Sequence, residues 1–451
     1  MKYRGNIIGV ALMLCASLVG MSQVRFEGAQ KTIFSETPAA STGLNKIYVL
    51  YNTNNVTMLF DASNSTSNVK WYKYDLRGGV YAEEIIGVEK EGATTKLTSI
   101  IPNSGYIIED GTNRTYVWVV DYSAYYLHLN GLSFASAQDC GTTALNVAGS
   151  GDDIIYATIN GLPKKLDRAI KLTYNTLTWN SENKVWKESE QTNSYEDFKS
   201  SISVAAPLCN TTFKMSGDRF LEYWGEGVSL TSETYNTNAV DVQTTAAQEK
   251  RDSSNEKKDA TDSELGGSAP ATITFTAYCT DAVTTKEWQM SSDADFNTII
   301  KSLSEEETVQ TFNDAGTFYM RFIVKNSDGT CDVTSDTYTI KIGESSLICP
   351  NAFSPQSTTG INDEWKVQYK SIITFKCWIF NRWGIKVCEL TDPAQGWDGK
   401  YKGKYVKSGA YYYVIQARGS DGKEYRLQGD INIINFKDTG TGTSTGNNTE
   451  E

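Results

Sequence analysis

Between residues 349 and 436 the chain repeats one device: a short apolar–polar alternation, then a turn rich in Gly and Asn. Residues 372–380 alternate, Asn381-Arg382-Trp383-Gly384 makes a turn with Gly where a positive φ is wanted, and residues 385–389 return antiparallel. A second hairpin joins 410–418 to 424–436 across Gly419-Ser420-Asp421-Gly422. No 3.6-residue period interrupts the series. The expected fold of this segment is therefore a small antiparallel sandwich of about seven strands.

The same residues carry a family resemblance. Asn351-Ala352-Phe353-Ser354-Pro355 comes first, followed by Ile379-Phe380-Asn381-Arg382-Trp383-Gly384 and Gly396-Trp397-Asp398-Gly399. Ser408-Gly409-Ala410-Tyr411 and Asp421-Gly422-Lys423 complete the order. Together they resemble the gliding-motility-associated (type B) C-terminal domain of Bacteroidota. The resemblance implies a domain over 346–436, export across the outer membrane by type IX secretion, and engagement of that machinery or of an outer-membrane barrel partner. It singles out Asn351, Phe353, Pro355, Asn381, Arg382, Trp383, Gly384, Gly396, Trp397, Asp398, Gly399, Gly409 and Tyr411. The family's acidic Asn-Gly-Asp-Gly loop is replaced here by Gln356-Ser357-Thr358-Thr359-Gly360, so no cation site is carried over.

The rest of the chain reads as all-β. Many Tyr and Thr residues favour strands, and 451 residues leave room for three or four domains. Residues 1–22 read as a signal peptide: Lys2 and Arg4, an apolar run over 7–19, then Gly20-Met21-Ser22. The run is too short for a transmembrane span. Its loss takes the net charge from −12 to −14, an acidic balance that argues against nucleic acid as a partner.

Residues 31–137 read as an immunoglobulin- or PKD-like sandwich with Trp71 inward, and Tyr122, Tyr125 and Tyr126 form a stripe suited to sheet packing or to sugar stacking. Residues 138–245 read as a β-rich domain of unrecognised family, with a hairpin turn at Asn180-Ser181-Glu182-Asn183 and a short helix over 193–201. Residues 246–269, nearly all charged or small, read as a flexible linker. Residues 270–345 read as a second PKD- or immunoglobulin-like domain around Trp288. Residues 437–451 read as a disordered tail.

Seven cysteines remain beyond the leader, in a chain bound for an oxidising compartment. Cys279 and Cys331 should lie at one end of the third sandwich and pair. Cys140 and Cys209 bracket the second unit and could also pair. A two-residue turn at Arg382-Trp383 would set Cys377 opposite Cys388, whereas a bulge at Gly384 would put them on opposite faces.

Chemistry is sparse. His128 is the only histidine, and serine-hydrolase, phosphate-loop and Cys-x-x-Cys patterns are absent. His128 with Cys140 could be offered as a nucleophile pair. Asp152, Asp153, Asp218 and Glu222 could be offered as glycosidase carboxylates, and Asp328, Asp332 and Asp336 as calcium ligands. None has a distinguishing context, so no catalytic, cofactor or metal site is assigned.

The expected protein is an exported, non-enzymatic, multi-domain protein at the cell surface or released. Its front domains bind a glycan or protein, and its last domain engages the export machinery. The alternatives are a structural subunit of a gliding or secretion apparatus, and a carboxylate hydrolase within 31–245.

Overall fold

The computed structural model describes residues 24–135, 139–257, 265–355 and 362–434. The expected signal peptide, the tail and the loop that departs from the family pattern lie outside them. The described chain is nearly all β and divides into two compact units. One holds residues up to Thr176 together with Glu188–Thr237; the other holds Leu177–Lys187 together with everything from Asn238.

In the first unit the strand Asn113–Asp121 explains the arrangement. It pairs antiparallel with Ser104–Asp110 and parallel with Lys46–Leu50, in the middle of a six-stranded sheet. Its run Val117-Trp118-Val119-Val120 is continuously apolar, which suits a strand buried on both faces. Val117 and Val119 pack with Trp71, Tyr106 and Ile108 in the core of the first sandwich. Trp118 and Val120 join a second core with Leu145, Ile170, Leu172 and Phe213.

The two front sandwiches are therefore fused through one shared sheet. They are not independent beads, and the boundary at 137/138 shifts with them. The strand Val24–Glu27 already belongs to the first sandwich, while His128–Phe134 pairs with Thr142–Ser150 in the second. Tyr122 is wholly buried and Tyr125 and Tyr126 pack against the shared core, so the tyrosine stripe is packing and not an open stacking platform.

The helix expected over 193–201 is not formed. Val185–Tyr195 is a strand beside Ile170–Asn180, which supplies the backbone partners a short helix would have had to find internally. An α-helix instead occupies Arg219–Tyr223, where Asp218 accepts from the backbone N–H groups of Phe220 and Leu221 as an N-cap.

In the second unit, residues 271–278 of the strand Ala271–Cys279 alternate between buried and half-buried, and Trp288 packs between Phe275 and Phe322 in the third sandwich. Of the expected flexible linker, the described residues 246–257 and 265–269 are held by strand pairing at both ends. Val242–Gln248 is a full strand paired with Ala271–Cys279, and Leu265–Gly267 pairs in parallel with Tyr338–Ile342. Composition misled here because strand pairing uses the backbone, which charged and small residues possess as fully as apolar ones.

Candidate functional site

The C-terminal sandwich is built on a five-stranded sheet. Ile372–Phe380 lies between Lys386–Leu390 and Gly409–Gly419, and Glu424–Ile433 and Ala352–Phe353 follow on the other side. The residues singled out by sequence divide into three physical groups on it.

The first group fills the core. Phe353, Trp397 and Tyr411 are buried and pack ring on ring: Phe353 lies tilted against Trp397 at 5.5 Å between centroids, and Tyr411 meets Trp397 edge to face at 5.3 Å. The Trp397 indole N–H donates to the Lys400 carbonyl at 3.0 Å, and the Tyr411 hydroxyl to the Lys407 carbonyl at 3.0 Å. Trp365 completes the cluster. Its backbone exchanges two hydrogen bonds with Trp397, and its indole donates to the Pro350 carbonyl at 2.7 Å. Sequence reasoning missed Trp365, whose isolated position in a loop gives no periodic signal.

The second group shapes turns. Gly399, at φ +74°, lies so close to Pro355 that a Cβ would meet its ring at 2.9 Å. A Cβ at Gly396 would have to displace the side chains of Lys366 and Glu364, and Gly409 opens its strand at φ +138°. The Asn351 carbonyl accepts from the Asn432 N–H at 2.8 Å. Burial pushes the Asp398 carboxyl up, but hydrogen bonds from Lys400 outweigh it and hold the group below the usual carboxylate range. Asn381 organises the hairpin end: its side-chain oxygen accepts from the N–H groups of Trp383 and Ile385, both at 3.0 Å, and Gly384 sits at φ +76°.

The third group is Arg382 and Trp383. Trp383 is 71% exposed, and the Arg382 guanidinium lies 4.3 Å over its ring. Ile385, Tyr412 and Val414 are exposed nearby in the same hairpin and the adjoining strand. Arg382 and Trp383 are the large motif side chains that stand exposed to solvent.

The hairpin register differs from both sequence alternatives. Cys377 faces Leu390 and Cys388 faces Ile379, a diagonal placement on the same inward face. A three-residue loop, closed by Asn381 N–H to the Ile385 carbonyl, adds one residue. A bulge at Val387 adds a second, which restores the face but not direct opposition. Both cysteines and Cys349 keep their thiols in the core cluster.

The other cysteine pairings also change. Cys140 and Cys331 are each disulfide-bonded, whereas Cys209 and Cys279 keep their thiols, so neither Cys279–Cys331 nor Cys140–Cys209 forms. Cys279 ends a strand of one sheet of the third sandwich. Cys331 precedes Asp332–Thr334, which pairs in the opposite sheet. Sharing one end of a sandwich did not bring them together. Burial pushes the Cys279 thiol up to about 11, helped by Glu306. A bonded Cys140 also removes the nucleophile from the His128–Cys140 pairing.

The proposed carboxylates do not converge. Asp153 pairs with Lys165 at 2.7 Å and Glu222 with Lys171 at 3.3 Å, both at the surface. Asp218 is wholly buried and takes Arg168 at 2.7 Å and the Tyr122 hydroxyl, whose single O–H is shared between the two carboxylate oxygens at 3.1 Å and 3.0 Å. Arg168 also donates to the carbonyls of Asp152 and Tyr125, both at 2.7 Å. This network joins the two front sandwiches. Sequence gave no hint of it, because neither charge lies in a patterned segment. In the third sandwich the Asp328 carboxylate accepts from the Thr330 N–H and hydroxyl, a turn cap. Among the described residues no group of three or more His, Cys, Asp or Glu could hold a metal ion.

Comparison with protein families matches residues 347–433 to the CHU_C type IX secretion signal domain. The C-terminal sandwich is a type IX secretion signal domain. Residues 133–232, ahead of the secretion domain, match a fibronectin type III domain, which supplies the family that sequence reading left open. No curated protein matches the chain.

Among solved structures, a tetra-tandem repeat from the extending region of a large adhesion protein is 13% identical. It covers 85% of this chain and 96% of its own, at a TM-score of 0.23. Dimeric latent PorU from Porphyromonas gingivalis is 10% identical and covers 72% of this chain and 36% of its own, at 0.18. At such TM-scores no shared arrangement of domains follows. The secretion domain makes this a multi-domain protein exported to the cell surface or released, and its recognised domains are of non-catalytic kinds.

Proposed function

We propose that the protein is a surface-delivered binding protein. The type IX machinery, or an outer-membrane barrel partner, reads the exposed Arg382–Trp383 turn of the secretion domain, and the fused front sandwiches present the ligand-binding surface. The observation that carries the first half is the division of the motif: core and turn residues build the domain, while Arg382 and Trp383 stand out in solvent. An exposed Trp stacked by Arg is the kind of rigid anchor that dominates protein interfaces. The second half is supported by exposed apolar side chains within one short stretch of the first sandwich: Leu76, Val80, Tyr81 and Ile86, the second and fourth at 86% and 85% exposure. A glycan or protein ligand is the class such a surface serves.

The test of delivery uses Trp383→Ala in the full chain, expressed in a type IX-competent host. Surface protein should fall at least fivefold with the folded fraction unchanged. Normal surface levels, together with normal levels after deletion of 347–433, would remove the export reading. A glycan and peptide array probed with the wild-type protein, and with Val80→Ser/Ile86→Ser, tests the front surface. Equal binding by both would place the ligand elsewhere.

A further inference from the structure

Residues 249–257, Glu-Lys-Arg-Asp-Ser-Ser-Asn-Glu-Lys, contain no apolar side chain, yet they are tied down along their length. At the base, the Gln248 side-chain amide donates to the Gly266 carbonyl at 2.8 Å and accepts from the Gly266 N–H at 2.7 Å, pinning the entry of the segment to its exit. Arg251 donates to the Ser268 carbonyl and to Glu256, both at 2.7 Å. The Glu256 side chain is only 5% exposed.

The far side of the segment lies on the secretion domain. Glu256 makes a parallel bridge to Tyr369: the Tyr369 N–H donates to the Asn255 carbonyl at 3.1 Å, and the Lys257 N–H donates to the Tyr369 carbonyl at 2.8 Å. Gln368–Lys370 already pairs with Ser346–Ile348 on its other edge, so residues 255–257 complete a small sheet of the secretion domain by strand addition. The Asn255 side-chain amide donates to the carbonyls of Val367 and Pro393, at 2.7 Å and 2.8 Å. Beside it the Ala269 N–H donates to the Ser371 hydroxyl, and the Ser371 N–H donates to the Ser268 hydroxyl.

We infer that this segment is a clasp, and that the export signal of this chain is the third sandwich and the secretion domain locked together by it, not residues 347–433 alone. The partner that this edge of the secretion domain fits is a polar segment of its own chain. The inference rests on the reading that 347–433 directs export, and it adds Asn255 as a positioning residue that acts through Val367, Tyr369 and Pro393. Asn255 is the choice because one side chain supplies two donors to two carbonyls that no strand covers.

The full chain is tested as Asn255→Asp, which keeps the shape and removes both donors, and as Asn255→Ala, with Lys257→Ala as a control that keeps the backbone N–H. Hydrogen exchange at 365–371 should rise at least tenfold in both Asn255 variants and stay unchanged at 409–433, which also shows that the sandwich remains folded. Surface protein should fall at least threefold at equal cellular level. Exchange at 365–371 within twofold of wild type in both variants would show that no clasp exists. Faster exchange with undiminished surface delivery would show that the clasp is no part of the export signal. Failure of the underlying reading is separate: it is seen in the 347–433 deletion, whatever Asn255 does.

Discussion

Two seams, one within each compact unit, are made of opposite materials. Between the first and second sandwiches the seam is apolar: Trp118, Val120, Tyr122 and Leu127 share one core with Leu145, Ile170 and Phe213, around a buried Arg168–Asp218 pair. Between the third sandwich and the secretion domain the seam is polar, made of Ser268, Ser371, Ser420, Asn255 and Asp421 with backbone groups. An apolar seam is lost only when large areas are re-exposed to water, so its two sides should melt together. A polar seam exchanges protein hydrogen bonds for water at small net cost each, so it should open locally, well below global unfolding.

The largest effect is expected in the apolar seam. Arg168→Met leaves the buried Asp218 carboxyl without its cation, and should cost about 3–5 kcal/mol. That corresponds to a fall of roughly 10 °C in the melting temperature of the front unit. Adding Asp218→Asn should recover part of the loss, because the amide oxygen still caps the helix and accepts from Tyr122 while no unpaired carboxylate is left buried. Calorimetry of the two variants checks this, and a single variant that melts like wild type would refute the role given to the pair.

A smaller effect is expected in the polar seam. Ser371→Ala removes the acceptor of the buried Ala269 N–H, a penalty of about 1–3 kcal/mol. Hydrogen exchange should locate it at 268–271 and 369–372, with the main melting transition of the unit nearly unmoved. Cooperative loss of the whole unit would show that the polar seam is not locally separable.

Acid should weaken the polar seam further. Burial pushes the Asp421 carboxyl up, but hydrogen bonds from Ser345 and Lys423 bring it below its ordinary value. A carboxylate so lowered contributes stability above its unfolded value of about 4 and loses it as pH falls through the folded value. Proteolysis at 343–348 should therefore accelerate below about pH 4, and Asp421→Asn should abolish that pH dependence. A rate flat from pH 6 to 3 would contradict it.

The smallest effect concerns the thiols. With Cys279 pushed up to about 11, and Cys377 raised by burial and by the neighbouring Cys349 and Cys388, neither should react with a thiol reagent at pH 8 until the chain unfolds. Rapid native alkylation of Cys377 would show that the secretion-domain core opens.

Much of the secretion domain was legible in the sequence, because its signals are local. Period-two alternation fixed the strands around Asn381–Gly384, and glycines marked turns whose φ values only glycine adopts without strain. The rings of Phe353, Trp397 and Tyr411 lay in named motifs before their stacking was known. Trp71 was legible as core for the same reason, centred in a short alternating strand.

Tertiary structure decided what depends on partners distant in sequence. Arg168 meets Asp218 across 50 residues, and Asn255 meets Val367 and Pro393 across 112 and 138. The cysteine pairing expected from nearness at one end of a sandwich failed because pairing requires side chains to meet, not strands to end together. Residues 246–269 are the plainest case. Hydrophobicity finds segments that bury side chains, whereas this one docks through its backbone and a single amide, which composition does not record.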